Sequence, residues 1–170
     1  MTRPRSHVLR FEDAGTVPNN PQLPLSWWEG ALAPDAGPQA FEARFAQNGW
    51  GRSWRNGIFD YPHFHTNNHE VLGIARGRVR VRLGGDTGTE VELAAGDAVV
   101  IPAGVGHQNL GGSADLLVVG AYPPGESVDL VRDASGDQAA RARIAAVPLP
   151  ATDPLDGAEG ELMRHWRVLP

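Results

Sequence analysis

The 170-residue sequence contains no cysteine and no lysine, so all fifteen of its basic residues are arginine. The absence of cysteine excludes a disulfide, a thiolate metal ligand and a cysteine nucleophile. The formal net charge of -5 argues against a nucleic-acid partner, because general nucleic-acid binders need a basic surface. No apolar run approaches the length of a membrane span, and no apolar segment typical of a secretion signal follows the early arginines. We therefore expect a cytoplasmic protein without a membrane partner.

The central part of the chain, residues 50–122, has the pattern of an all-β fold. The 21 glycines and 14 prolines favour short strands joined by turns. Within RVRVRL (residues 78–83) apolar and arginine residues alternate, which predicts one buried face and one solvated arginine face. The sequence GGDTG that follows is typical of a hairpin turn. The predicted strands are EVLGIAR, RVRVRL, TEVEL, DAVVIP and DLLVVGAY.

The N-terminal residues 1–49 are predicted to form an arm and a packing helix. VLRF and LSWWEG have the length and composition of short strands. Residues 38–48 are the best helix candidate, because they begin with a proline and place Phe41 and Phe45 one turn apart on one face. An apolar arm packs on its own barrel or on a second copy, and LSWWEG could extend the partner's sheet. We favour the second alternative, a homodimer.

The C-terminal residues 123–170 are predicted to be an extension packed on the barrel. Within it, residues 137–147 could form a short helix with Asp137 as its N-cap. The following sequence, PLPATDPLDG, is predicted to be an extended, turning tail. The economical interpretation is one domain with two flanking segments.

The stretch HFHTNNHE, residues 63–70, places three of the six histidines within eight residues. In an extended segment His63 and His65 would point to the same side. The residues Thr66-Asn67-Asn68 favour a turn, so Glu70 would open the next strand, with His69 on its opposite face. The stretch is thus either part of a metal site or a polar, histidine-rich loop.

A second stretch, GDAVVIPAGVGH, ends a buried-type strand with a Pro/Gly turn that delivers His107. This turn would gather four histidines and a glutamate at the ends of neighbouring strands. Imidazole nitrogens suit Zn, Cu, Fe and Ni, and an added carboxylate also suits Mn. The alternative is a set of hydrogen-bonded core histidines.

Both stretches resemble the two sequence motifs of the cupin superfamily. The first motif is G-x5-H-x-H-x4-E-x6-G and the second is G-x5-P-x-G-x2-H, often followed by Asn four residues later. Nine of these ten positions are matched, and Gly111 replaces the final Asn. The matched residues are Gly57, His63, His65, Glu70, Gly77, Gly96, Pro102, Gly104 and His107. PNNPQLPL, NGWGRSWRNGIFDY, HEVLGIARG and VVGAYPPG extend the resemblance to the YjlB-like cupins.

The resemblance implies a jelly-roll, six-stranded β-barrel with short helices and N- and C-terminal arms. It implies that His63, His65, Glu70 and His107 bind one divalent metal ion, which would be Fe, Mn, Ni, Co or Zn. It also implies a small-molecule ligand inside the barrel. The resemblance assigns no catalytic residue.

Two polar residues near these ligands have predicted supporting roles. His69 is expected either to contact a metal ligand from behind or to face outward, and it is the substitute ligand if Glu70 does not bind. Asn109 could hydrogen-bond a ligating histidine.

Aromatic residues also flank the predicted ligands. Phe59, Tyr61 and Phe64 could line a substrate pocket, but packing is the favoured role for them. Trp50 and Trp54 are open to either interpretation.

Three functions fit this ligand set. The leading hypothesis is a metal-dependent enzyme that acts on a small oxygen-bearing molecule, as a dioxygenase-type oxidoreductase. The second is a metal-dependent isomerase or epimerase of a sugar or keto acid. The third is a non-catalytic small-molecule-binding or metal-sensing protein. The fold alone does not decide among them.

Overall fold

The computed structural model describes residues 3–167, so the outermost residues of the predicted segments 1–49 and 123–170 lie outside it. Within that range, the strands are β1 (Arg5–Leu9), β2 (Leu25–Glu29), β3 (Gly51–Asn56), β4 (Glu70–Arg76), β5 (Arg78–Leu83), β6 (Thr89–Ala94), β7 (Ala98–Ile101), β8 (His107–Gly112) and β9 (Leu117–Tyr122). The helices are α1 (Pro38–Gln47), α2 (Gln138–Ala146) and α3 (Glu161–His165).

The strands form two antiparallel sheets that pack face to face. The larger sheet has the strand order β1-β2-β7-β4-β9-β3, and the smaller sheet has the order β6-β5-β8. Together they form the predicted all-β jelly-roll barrel, with short helices outside it. The prediction of the fold class is confirmed.

The larger sheet is covered on both faces, because successive side chains of a strand point to opposite sides. On β4, Leu72 and Ile74 pack in the cluster between the two sheets. Val71 and Ala75 belong to a second cluster on the outer face, together with the aromatic residues of α1. This arrangement buries every residue of the central strand β4 except Arg76, and Glu70 projects from the start of β4 at the barrel end.

The smaller sheet has the predicted one-sided pattern. Val79, Val81 and Leu83 of β5 are buried inside the barrel. Arg78 and Arg80 are exposed on the other face, where Arg80 lies 3.7 Å from Glu90 of β6. The solvated arginine face is therefore confirmed.

Helix α1 lies where the sequence predicted it, and Phe41 and Phe45 are fully buried. The helix approaches β4 at Gly73, where an added Cβ would overlap the ring of Phe41. Glycine is needed at this position because any side chain would push the helix away from the sheet.

The N-terminal arm covers its own barrel. Strand β2 pairs with β1 on one side and with β7 on the other, so both of its hydrogen-bonding edges are occupied within the chain. LSWWEG therefore does not offer an edge to a second copy, which corrects that part of the dimer hypothesis. The strand at this end of the sheet is β1, whose His7 ring stacks on Trp27 at 4.0 Å.

The C-terminal extension contains the predicted helix, α2. The Asp137 side chain caps this helix by accepting a hydrogen bond from the Ala140 N–H at 2.9 Å. Helix α3 was not predicted. It is followed by Trp166, which is buried and donates from its indole N–H to the Pro24 carbonyl at 2.8 Å. The two ends of the described chain are thus packed together.

None of the helices within residues 3–167 has the length and apolar character required to cross a membrane.

Candidate metal centre

The two histidine-bearing stretches are joined by direct backbone hydrogen bonds. The N–H of His107 donates to the His63 carbonyl at 2.9 Å, and the N–H of His63 donates to the His107 carbonyl at 3.2 Å. The His65 carbonyl accepts from the Gly104 N–H at 2.7 Å. Because Glu70 and His107 begin β4 and β8, all four predicted ligands meet at one end of the barrel.

The three imidazoles form a compact buried cluster. One nitrogen each of His63, His65 and His107 lies within 4.8 Å of the others. Glu70 joins this cluster, because its Oε1 lies 3.4 Å from Nε2 of both His65 and His107. The cluster is capable of binding a metal ion.

The hydrogen bonds of the outer ring nitrogens fix how the imidazoles face each other. Each Nδ1 lies beside a backbone carbonyl, which can only accept, so each Nδ1 carries the proton. The three acceptors are the carbonyls of Tyr61, Asp129 and Val105, at 3.0, 2.5 and 3.1 Å. In a neutral imidazole the Nε2 lone pair is then unprotonated. Lone pairs of His65 and His107 directed at the Glu70 carboxylate repel it unless a proton or a metal ion lies between them, so the donor set fits a metal ion.

The pKa values of His63, His65 and Glu70 also indicate that a positive charge is favoured beside Glu70. Burial, followed by the neighbouring His107, lowers the pKa of His63 to about 3. Burial opposes protonation of His65, but the Glu70 carboxylate outweighs it and raises the pKa of His65. Burial alone would raise the pKa of Glu70, but His107 and His65 hold that pKa well below its usual range. Glu70 therefore stays ionised, and its negative charge favours a positive charge beside it, either on His65 or on a bound metal ion.

A cavity of about 340 Å³ opens beside the cluster. This volume lies in the range of small-molecule sites. All four predicted ligands line it, together with Trp54, Asn56, Gly57, Ile58, Phe59, Leu72, Tyr122, Val128, Asp129 and Leu130. The barrel end is therefore open beside the ligands rather than filled by side chains.

One wall of this cavity comes from the segment that follows β9, residues 123–131, which we call the covering segment. The Asp129 carboxylate accepts from the Thr66 N–H at 2.7 Å and from the Thr66 hydroxyl. The side chains of Asn67 and Asn68 donate to the carbonyls of Ser127 and Glu126, at 2.8 and 3.1 Å. The predicted turn at residues 66–68 thus anchors the covering segment over the site.

Asp129 should therefore tune the affinity for a metal without contacting it. We expect Asp129→Ala to weaken Co²⁺ binding by about 10- to 100-fold, because its loss releases the carbonyl that orients His65. Isothermal titration with Co²⁺ measures the change. Asp133→Ala is the matched control, since this exposed carboxylate only accepts from Ser135. Equal affinity in both variants would show that the orientation of His65 does not depend on Asp129.

The sequence left Trp54 open between packing and the pocket, and it did not single out Tyr122. The Trp54 indole N–H donates to the Tyr122 hydroxyl at 2.8 Å, and both side chains line the cavity. Burial and the nearby Glu70 raise the pKa of Tyr122, so the phenol keeps its proton. Trp54 is seated on Gly120, where an added Cβ would overlap its indole ring. The available signal was the tyrosine that ends a predicted strand.

The structure corrects the roles of the two polar supporting residues. His69 is fully buried on the other side of β4, where its Nδ1 accepts from the Ala103 N–H at 2.9 Å. Its ring packs on Trp166 at 4.7 Å, so it neither faces outward nor supports a ligand. The Asn109 side chain accepts from the Gly111 N–H at 2.7 Å, while the hydrogen-bond partners of the three imidazole Nδ1 atoms are backbone carbonyls.

The aromatic residues divide between packing and the cavity. Phe64 and Trp50 are buried packing residues. The packing interpretation is wrong for Phe59, which is 50% exposed and borders the cavity with its ring centre 5.3 Å from that of His63. Tyr61 supports the site from outside, because its carbonyl accepts from His63 and its ring stacks on Phe59.

Buried His69 gives the stability of the protein a dependence on pH. Burial lowers its pKa to about 4, from 6.5 in the unfolded chain. Between these values the unfolded chain binds more protons, so the free energy of unfolding falls as the pH falls, by about 3 kcal/mol in total. Metal-free protein should lose this much more than His69→Gln between about pH 7.5 and pH 4 in urea unfolding. Equal losses would show that folding does not lower the pKa of His69.

Comparison with known proteins gives the same assignment as the motifs. Residues 55–119 match the family model described as "Cupin domain". The chain is 40% identical over 157 residues to the protein named "Uncharacterized protein YjlB" of Bacillus subtilis (strain 168). The aligned residues cover 92% of this chain and 93% of that protein.

Two solved structures illustrate the more distant similarities. Acireductone dioxygenase from Bacillus anthracis is 20% identical, with 54% of this chain and 62% of that chain covered and a TM-score of 0.38. QdtA, a sugar 3,4-ketoisomerase from Thermoanaerobacterium thermosaccharolyticum in complex with TDP, is 19% identical, with 55% and 75% covered and a TM-score of 0.40. Similarity at this level does not bear on substrate or reaction.

Proposed function

Because the chain belongs to the cupin superfamily, in the group of the YjlB-like cupins, we propose that it is a metal-dependent enzyme that acts on a small oxygen-bearing molecule. One observation carries the proposal. Three imidazoles, each with its Nδ1 bonded to a backbone carbonyl, cluster beside an open cavity, and Nε2 of both His65 and His107 lies 3.4 Å from the buried Glu70 carboxylate.

His63, His65, His107 and Glu70 would hold the ion. An Fe, Mn, Co or Ni ion accepts up to six ligands, so beside four protein groups it supplies Lewis-acid chemistry at the remaining positions and, for Fe or Mn, redox chemistry. The chain's own contribution is to position the ligands through backbone carbonyls. Its largely apolar cavity wall would contact the rest of the substrate.

We favour a dioxygenase-type oxidoreductase over an isomerase. Moving a proton between carbon atoms needs a side chain near the substrate that can release and recapture that proton. Among residues 3–167, the titratable groups that line the cavity apart from the ligands are Tyr122 and Asp129. Tyr122 has a raised pKa, and the Asp129 carboxylate is occupied by Thr66. Neither is suited to act as a general base.

The test is elemental analysis of the untreated protein, combined with mass spectrometry of bound metabolites and oxygen-uptake assays on the compounds found. Iron or manganese near one ion per chain, with uptake of oxygen, would support the proposal. Rearrangement of a compound without oxygen uptake would support the isomerase instead. A bound metal ion together with a bound compound that the protein does not convert would indicate a binding protein.

We also retain the proposals of a homodimer and of a cytoplasmic location. Light scattering of the purified protein should give twice the 18.2 kDa mass of one chain. A mass of one chain at micromolar concentration would contradict the dimer.

A further inference from the structure

The wall of the cavity is largely apolar away from the ligands. Its side chains of this kind are Trp54, Ile58, Phe59, Leu72, Val128 and Leu130. Phe59 and Leu130 are 50% and 44% exposed, which places two large apolar side chains at the solvent side of the cavity. Exposed apolar surface that borders a cavity is typical of a binding site for an apolar group.

No arginine lines this cavity among residues 3–167, and the chain has no lysine. The arginines that contact the surroundings of the site already have partners. Arg52 donates to the carbonyls of Pro123 and Glu126, and its guanidinium lies over the Tyr122 ring at 5.1 Å. Arg132 lies over the Tyr61 ring at 3.8 Å, and Arg143 donates to the Thr66 hydroxyl at 3.2 Å. These three guanidinium groups are engaged by other partners, and none of them lines the cavity.

This distribution of charge bears on the ligand. A phosphate or a carboxylate is normally recognised by arginine or lysine, because its desolvation must be offset by charged hydrogen bonds. In this cavity, a phosphate or carboxylate on the part of the ligand away from the metal would contact apolar side chains and the carboxylate of Asp129. Its burial would therefore be unfavourable.

We propose that the site binds an uncharged small molecule with an apolar body and two neighbouring oxygen atoms, of the catechol or enolised-diketone class, and discriminates against phosphorylated or carboxylated compounds. The inference rests on the proposed function, because the two oxygens are assigned to the metal. It adds that the rest of the ligand contacts Phe59, Val128 and Leu130.

The test uses full-length protein loaded with Co²⁺ without oxygen, and the probes 4-methylcatechol and protocatechuate. The two probes carry the same pair of neighbouring hydroxyls. They differ at one ring position, where 4-methylcatechol has a methyl group and protocatechuate has a carboxylate. The change in cobalt absorption gives the affinity of each probe. We expect 4-methylcatechol to bind at least about tenfold more tightly, since only the carboxylate is left without a cationic partner.

A charge introduced at the solvent side of the cavity should change this preference. Leu130→Arg is expected to strengthen protocatechuate binding by about tenfold and to weaken 4-methylcatechol binding. Leu149→Arg is the matched control, because Leu149 is equally exposed, at 49%, but does not line the cavity. It should leave both affinities unchanged.

The outcomes separate this inference from the proposed function. Absence of a cobalt spectrum before any probe is added would overturn the metal site, and the inference with it. A normal cobalt spectrum with equal or tighter binding of protocatechuate would overturn the inference alone. So would Leu130→Arg and Leu149→Arg variants that retain the same preference.

Discussion

Replacing His107 by alanine is expected to reduce the affinity for Co²⁺ by more than about 100-fold, since even an outer-shell partner accounts for 10- to 100-fold. The substitution removes a donor nitrogen and leaves Glu70 with only one of its two imidazole partners. The metal should also stabilise the fold much less. At 1,000 times the dissociation constant, metal binding adds about 4 kcal/mol to the free energy of unfolding of the parent. At the same Co²⁺ concentration this gain should fall to about 1.4 kcal/mol or less in His107→Ala.

Denaturant unfolding with and without Co²⁺, together with elemental analysis, measures both effects. His165→Ala is the matched control. This histidine lies 3.3 Å from Glu161 on α3, which is not part of the cluster. Retention of the metal and of its stabilising effect in His107→Ala would refute the ligand set.

Replacing Trp166 by alanine is expected to lower the free energy of unfolding by about 3–5 kcal/mol, the usual range for a buried aromatic residue. The indole is 1% exposed, packs on His69 and donates to the Pro24 carbonyl. Its loss would leave a cavity behind β4 and would remove one of the hydrogen bonds that join the C-terminal extension to the N-terminal arm. Urea unfolding of the metal-free protein measures the loss.

Trp27→Ala is the comparison variant for this experiment. Trp27 is only partly buried and stacks on His7 of the edge strand, so the variant should lose much less stability. If the two variants lose the same amount, the C-terminal extension contributes no more to stability than the edge of the sheet does.

The parts of the fold that could be predicted are those with a strong repeating pattern. Strands β4, β5 and β7 are rich in β-branched or alternating residues, and α1 carries a proline start and two phenylalanines one turn apart. Strands β3 and β8 escaped prediction because GRSWRN and HQNLGG have the composition of loops. They are strands because their neighbours offer backbone hydrogen bonds, and a single sequence does not contain that information.

The candidate site shows the same division. The four predicted ligands converge because motif spacing fixes both the strand ends and the turns between them. The role of Asp129 and the hydrogen bond between Trp54 and Tyr122 were not predicted, because they depend on how the covering segment and β3 approach the ligands in three dimensions. The prediction for Asn109 failed because backbone carbonyls, which have no sequence signature, hold the ligating histidines.

The predicted metal ligands and the covering segment belong to different structural elements, and this has an evolutionary consequence. The ligands stand on strand ends whose spacing is fixed by the barrel, whereas Val128 and Leu130 lie on an irregular connection between β9 and α2. Insertions or exchanges in that connection can remodel the shape of the cavity while the ion-binding groups stay in place, provided that Asp129 keeps its bond to Thr66. Descendants of one ancestral protein could in this way diverge in the compounds they accept and still share an identical inorganic chemistry.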